Sequence, residues 1–183
     1  WAALLRWELD FCRRHDGEKV VFVDSADFLM LGSSDELEAA VPEGVLYHGE
    51  GRCWPEPHKL DSYPVGKGPY RFVNGTGPAG SCGAIASVIE FGMKECLIRG
   101  EEASIFADND QRFFTACYLA GHGTVDEVGK LSAQLNAIPP SQVHIQDGRL
   151  VLGGEVKPIF VHLNGASKDT YKALIEELIR GTV

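Results

Sequence analysis

The stretch VFVDSADFLM, residues 21–30, constrains this chain more than any other. An apolar, β-prone run stops at Asp24, carries a second carboxylate at Asp27, and turns apolar again at Phe28. A turn accounts for the pair, because Asp favours strand ends and caps. A divalent cation is the sharper alternative, on a motif that is weak by itself: a short turn can aim two carboxylates at one Mg²⁺ or Mn²⁺. Ligands of open α/β sheets sit at the carboxyl ends of strands, which is where this pair falls. Both readings require a strand that ends at the acids.

The rest of the chain supplies alternating strand and helix signals. Residues 1–15 read as an amphipathic helix with Leu4, Leu5, Leu9 and Cys12 on one face. A strand is expected over Lys19–Val23, and Ser33 with Glu36 forms a capping box that opens a helix to about Val41. Gly44–His48 reads as a strand, and residues 50–71, rich in Gly and Pro, as a long loop. A brief strand over Arg71–Asn74 leads to a helix over Ala79–Arg99, and a second helix covers Asp108–Leu119. Val143–Leu152 reads as a hairpin turning at Asp147-Gly148, Pro158–His162 as a strand, and Lys168–Arg180 as a closing helix with Leu174, Leu178 and Ile179 on one side. This alternation predicts an α/β fold, with residues 1–183 as one domain.

Composition narrows the function classes. The net charge is −9, which opposes non-specific binding to nucleic acid or to an anionic membrane. No apolar run reaches the roughly 18–20 residues of a membrane helix. The chain opens on Trp1 rather than Met, as expected of a piece of a longer protein. Its five cysteines include no CxxC pair, so a cysteine-based zinc site is not supported. Buried thiols are expected, with one disulfide left open.

Four further stretches carry chemistry. Val161-His162-Leu163-Asn164-Gly165 ends a strand, and its imidazole could complete an oxygen/nitrogen site suited to Mn²⁺. A half-buried His before a turn is the plainer reading. Gly165 would let backbone approach a phosphate, and Lys168 would add charge and donors. Asp108-Asn109-Asp110-Gln111 opens a helix, either as a plain N-cap or as a polar end that binds sugar hydroxyls or supplies a catalytic carboxylate. Gly75–Gly80 matches GxGxxG, but Pro78 removes an N–H from any phosphate cradle. A glycine-rich turn close to a ligand is the better expectation there. Trp54, in Arg52-Cys53-Trp54-Pro55, stacks on a sugar or base or packs under its loop.

These stretches occur in an order that resembles the glycosyltransferase domain of procollagen lysyl hydroxylases and the related collagen galactosyl- and glucosyltransferases. The family's "FVDSYD" is matched by Phe22–Asp27, its "CWP" by Cys53-Trp54-Pro55, and its "YP…G" by Tyr63-Pro64-Val65-Gly66. Its "FLNSGG" is matched by Phe72–Gly77, its "DDQLFYT" by Asn109–Thr115, and its "VHGNGPTK" by Val161–Lys168. The resemblance covers most of residues 1–170. It implies a GT-A-type fold, a Rossmann-like central sheet flanked by helices, with no counterpart here of the family's N-terminal strand. It also implies a UDP-sugar donor and Mn²⁺ held by Asp24, Asp27 and His162. Asp24, Ser25, Ala26, Asn164, Gly165, Ala166, Ser167 and Lys168 would border the nucleotide. Asn74, Asp110 and Trp54 would carry catalysis, with Asn109 and Gln111 beside the substrate.

The implied reaction moves a hexose from UDP-galactose or UDP-glucose to a hydroxyl acceptor such as hydroxylysine in a collagen-like peptide, in the endoplasmic reticulum or Golgi lumen. The alternative is a catalytically silent domain of this type with a structural or assembly role. The chain departs from the family at Asn109, where an Asp is usual, and in Gly75–Gly80, where "SGGFIG" is replaced.

Overall fold

The computed structural model describes residues 2–24, 27–99, 109–165 and 167–180. Helix α1 (Ala2–Arg14) buries Leu5, Leu9 and Cys12, the i, i+4, i+7 stripe its sequence predicts. Leu4 does not share that face and is 38 % exposed, because it stands about 100° round the helix from Leu5. Glu8 lies inside the stripe and is buried with it.

The chain then enters β1 (Lys19–Val21), the acidic turn, and β2 (Phe28–Met30). Helix α2 (Ser34–Ala40) starts at the expected capping box: the Glu36 N–H donates to Ser33 Oγ and the Ser33 N–H donates to Glu36. Strands β3 (Val45–Glu50) and β4 (Phe72–Ser81) follow, then helices α3 (Cys82–Arg99) and α4 (Asp110–Leu119). Short strands β5 (Thr124–Val125) and β6 (Ser132–Gln134) precede the hairpin β7 (Val143–Gln146) and β8 (Arg149–Leu152). The hairpin turns at Asp147 and Gly148, both at positive φ, as the sequence predicts. Strand β9 (Phe160–His162) leads into α5 (Ser167–Thr170) and α6 (Lys172–Arg180). The single closing helix expected from Lys168 is thus two pieces that meet at Tyr171. Leu178 is buried there, while Ile179 faces solvent.

The strands form a four-stranded sheet in the order β1-β4-β3-β5 and a three-stranded sheet in the order β2-β9-β6. The pairs β3/β5 and β6/β9 are parallel and the other pairs in these sheets antiparallel. Helices α1, α3 and α4 cover the first sheet through one core containing Leu5, Tyr47, Ile85, Ile89, Phe113 and Phe114. A mixed α/β fold with parallel pairing and flanking helices is the class the sequence predicts.

The largest correction falls on Gly75–Gly80. This stretch is neither a turn nor the start of a helix; it is strand, and α3 begins only at Cys82. The glycines serve strand packing. A Cβ on Gly80 would lie 2.1 Å from the Gly44 carbonyl oxygen, and one on Gly77 would lie 2.7 Å from Phe22 Cβ. Pairing with β3 jumps from Tyr47↔Pro78 to Gly49↔Val73, so Asn74–Gly77 bow out opposite His48. That bulge turns β4 from a plain ladder into a wall of the site. All five cysteines are free thiols and four are buried, as expected. Among the described residues no helix is long and apolar enough to cross a membrane.

Candidate metal centre and its polar wall

Strand pairing brings the two ends of the acidic turn to one point. Asp24 follows β1, Asp27 precedes β2, and β2 pairs with β9 so that Phe28 stands opposite His162. The Leu163 N–H then donates to the Asp27 carbonyl at 2.8 Å, which locks Asp27 beside the end of β9. Asp24, Asp27 and His162 each offer a ligand atom, and these atoms lie within 4.8 Å of one another. His162 Nε2 is 3.5 Å from Asp27 Oδ1, and Lys168 Nζ is 3.6 Å from Asp27 Oδ2. The Phe28 ring packs on the imidazole at 4.3 Å between centroids.

The donor set fits a divalent cation. Asp27 Oδ1 and His162 Nδ1 are buried with no hydrogen-bond partner, a costly state for polar atoms unless a ligand completes them. Two carboxylates and one imidazole give the oxygen and nitrogen donors that suit Mn²⁺. Burial holds His162 below its ordinary range although Asp27 and Asp24 pull it upward, and the neutral imidazole is the ligating form.

A polar wall rises from the bulge in β4. The Thr76 hydroxyl hydrogen-bonds Asn74 Oδ1 and lies 3.4 Å from Asp24 Oδ2, and Asn74 Oδ1 also accepts the Thr76 N–H at 3.0 Å. Asn74 Nδ2 donates to Glu50 Oε2 at 3.3 Å, and Glu50 Oε1 accepts the Gly51 N–H at 2.9 Å. Asp110 opens α4 over Gly75, where a Cβ would meet its Oδ1 at 2.7 Å. Burial pushes the Asp110 carboxyl up to about 6, and the charge of Asp24 adds to the rise. Glu8, beside Gly77, is pushed up to about 8 by burial first and then by Asp110 and Asp24. A carboxyl near 6 is ionised at neutral pH and basic enough to take a proton.

The remaining predicted residues divide. Asn164 places a buried, unpartnered Oδ1 two residues beyond His162, and Gly165 adopts a φ of 55°. Ser167 is buried, with its hydroxyl donating to the Asn164 carbonyl at 2.6 Å. Asn109 caps α4, accepting the Arg112 N–H at 3.3 Å, and Gln111 Nε2 donates to the Val73 carbonyl at 2.8 Å. Asn109 thus starts α4, and Gln111 ties it to β4. Trp54 is 63 % exposed, which removes the alternative of an indole packed under its loop. No hydrogen bond or ring contact among the described residues joins it to the metal corner. Ser25, Ala26, Asp108 and Ala166 lie outside the described residues.

Sequence reasoning missed Glu50, Thr76 and Glu8. Glu50 ends β3, two residues past the predicted strand end, so a longer strand would have put it at a ligand-binding position. Thr76 was hidden because its segment reads as a turn. Glu8 had a signal: a charged residue between Leu5 and Cys12 occupies an apolar stripe position.

The fold and the site together define an α/β domain of the GT-A-like glycosyltransferase class. The family model for the PLOD GT domain matches residues 2–178, and the chain belongs to that family. No curated protein matches the chain.

Proposed function

We propose that this chain is a Mn²⁺-dependent glycosyltransferase that moves galactose or glucose from a UDP-sugar to a hydroxyl acceptor. The observation that carries the reading is the convergence of Asp24, Asp27 and His162, with Asp27 Oδ1 and His162 Nδ1 buried and without hydrogen-bond partners. A cation bound there would offset the charge that develops on the departing diphosphate. Asp24, Asp27 and His162 would hold it, and Lys168 adds a positive charge beside Asp27. The backbone at Asn164–Lys168, together with Ser25 and Ala26, borders the nucleotide.

Asn74 and Glu50 form a fixed hydrogen-bonded pair that orients the sugar hydroxyls. Asp110 accepts the proton from the attacking hydroxyl, and its raised pKa suits that task. Trp54, exposed on its loop, flanks the acceptor, with Asn109 and Gln111 at the neighbouring helix start. The acceptor is hydroxylysine, or a sugar already on it, in a collagen-like peptide. A location in the secretory pathway and a single domain over residues 1–183 belong to the same reading.

The test is UDP release from UDP-galactose and UDP-glucose, with and without Mn²⁺, in the presence of a hydroxylysine-containing peptide. Turnover that needs Mn²⁺ and disappears in His162→Ala supports the proposal. A folded chain that binds neither Mn²⁺ nor UDP contradicts it and leaves a catalytically silent domain.

A further inference from the structure

His48 lies at the middle of β3, fully buried, at the one point where β3 and β4 lose register. Both of its ring nitrogens are engaged. Nε2 is 3.0 Å from the Phe22 carbonyl oxygen, and Nδ1 is 2.5 Å from Ser132 Oγ. A carbonyl only accepts, so Nε2 carries the hydrogen, and Nδ1 accepts the hydrogen bond that the Ser132 hydroxyl donates. Burial lowers His48 to about 4, so the ring stays neutral and keeps this tautomer.

Two of the three groups around this ring flank the candidate ligands Asp24 and Asp27, and the third lies on the strand paired with the one that carries His162. Phe22 lies two residues before Asp24. Phe28, the residue after Asp27, meets the His48 ring edge-on at 5.6 Å and packs its own ring on His162 at 4.3 Å. Ser132 is on β6, which pairs in parallel with β9 so that Ser132 faces Phe160 and Gln134 faces His162. Asp24 hangs from the four-stranded sheet, whereas Asp27 and His162 belong to the three-stranded one. His48 bridges the two sheets between them.

We propose that His48 is a positioning residue that holds the Asp24 segment against the Asp27–His162 pair and so sets the spacing of the metal site. The inference rests on the metal reading given above. It requires a side chain with one donor and one acceptor, which an aliphatic or phenyl group does not offer. Groups that orient metal ligands without touching the metal typically change affinity by about 10–100-fold when removed.

The experiment compares the full chain with His48→Phe, His48→Gln and Ser132→Ala. One readout is Mn²⁺ affinity, measured with the metal alone. The other is the NMR shift of the His162 ring protons without metal, which reports the ring current of Phe28. His48→Phe keeps a ring against Phe28 and loses both hydrogen bonds. It should weaken Mn²⁺ by about tenfold and move the His162 resonance. His48→Gln, which keeps a donor and an acceptor, should recover most of both. If His48→Phe does not fold, Ser132→Ala decides by the same readouts, with a smaller change in the same direction. An unmoved His162 resonance and unchanged affinity in a folded variant would overturn the proposal. Failure of the wild-type chain to bind Mn²⁺ would count against the metal reading, and the His162 resonance would then judge the role of His48 by itself.

Discussion

Two acids in this molecule, Asp126 and Asp27, border short strands, and they are treated in opposite ways. Asp126, after β5, accepts four backbone N–H groups, from Gly129, Lys130, Leu131 and Ser132, at 2.7–3.1 Å. Its carboxylate is complete, and it shapes the turn that delivers β6. Asp27, at the end of the acidic turn, has a buried oxygen with no hydrogen-bond donor, 3.5 Å from Nε2 of an imidazole whose other nitrogen, Nδ1, is also unpartnered. The first acid is scaffold. The second has spare coordinating capacity held in place by scaffold. Position at a strand end does not separate the two; the count of satisfied lone pairs does.

Substitutions should break this contrast in a definite order. Asp126→Ala strips the acceptor from four N–H groups at once and should destabilise the chain by about 3–5 kcal/mol in denaturant unfolding without metal. Asp27→Ala should do the reverse. Stability in chelator stays within about 1 kcal/mol, while Mn²⁺ affinity falls by about 100-fold or more, read by calorimetry. Equal losses of stability in the two variants would erase the distinction.

Glu8 sharpens the comparison because it is another buried acid, with one oxygen unpartnered. Its folded pKa of about 8 lies above the unfolded value of 4.5, so the native state binds the extra proton between these limits. Its contribution to stability therefore falls as pH rises from about 4.5 to 8. Glu8→Gln mimics the protonated form and should raise Tm by about 5 °C at pH 8 and hardly at all below pH 4.5, in metal-free thermal melts. An equal shift at both pH values would mean that Glu8 is not titrating there. The smallest expected effect on the fold is that of Trp54→Ala: stability within about 0.5 kcal/mol, UDP binding kept, and turnover reduced. Cooperative loss of stability would instead make Trp54 part of the structure.

The convergence of Asp24, Asp27 and His162 was legible in advance because each sits in a local pattern. Asp24 and Asp27 interrupt an apolar run, and His162 ends another, so strand chemistry marks all three. The capping box of α2 and the turn at Asp147-Gly148 are equally local, and both formed as read. The failures are non-local. Strands β2, β5 and β6 span two or three residues, too few for an alternation to register. Gly75–Gly80 reads as a loop because glycine is a turn residue. Its true cause is the close approach of Gly44 and Phe22, which no window around residue 77 contains. His48 and Ser132 are 84 residues apart, and only the folded chain shows that they are hydrogen-bonded.

The most direct test of the central claim is a calorimetric titration of UDP into the purified chain, with Mn²⁺ and then with chelator, repeated on Asp27→Ala. The account predicts UDP binding that requires both the metal and Asp27. UDP binding of equal strength in chelator, or in Asp27→Ala, would contradict it, because the unpartnered atoms of Asp27 and His162 would then have no part in holding the nucleotide.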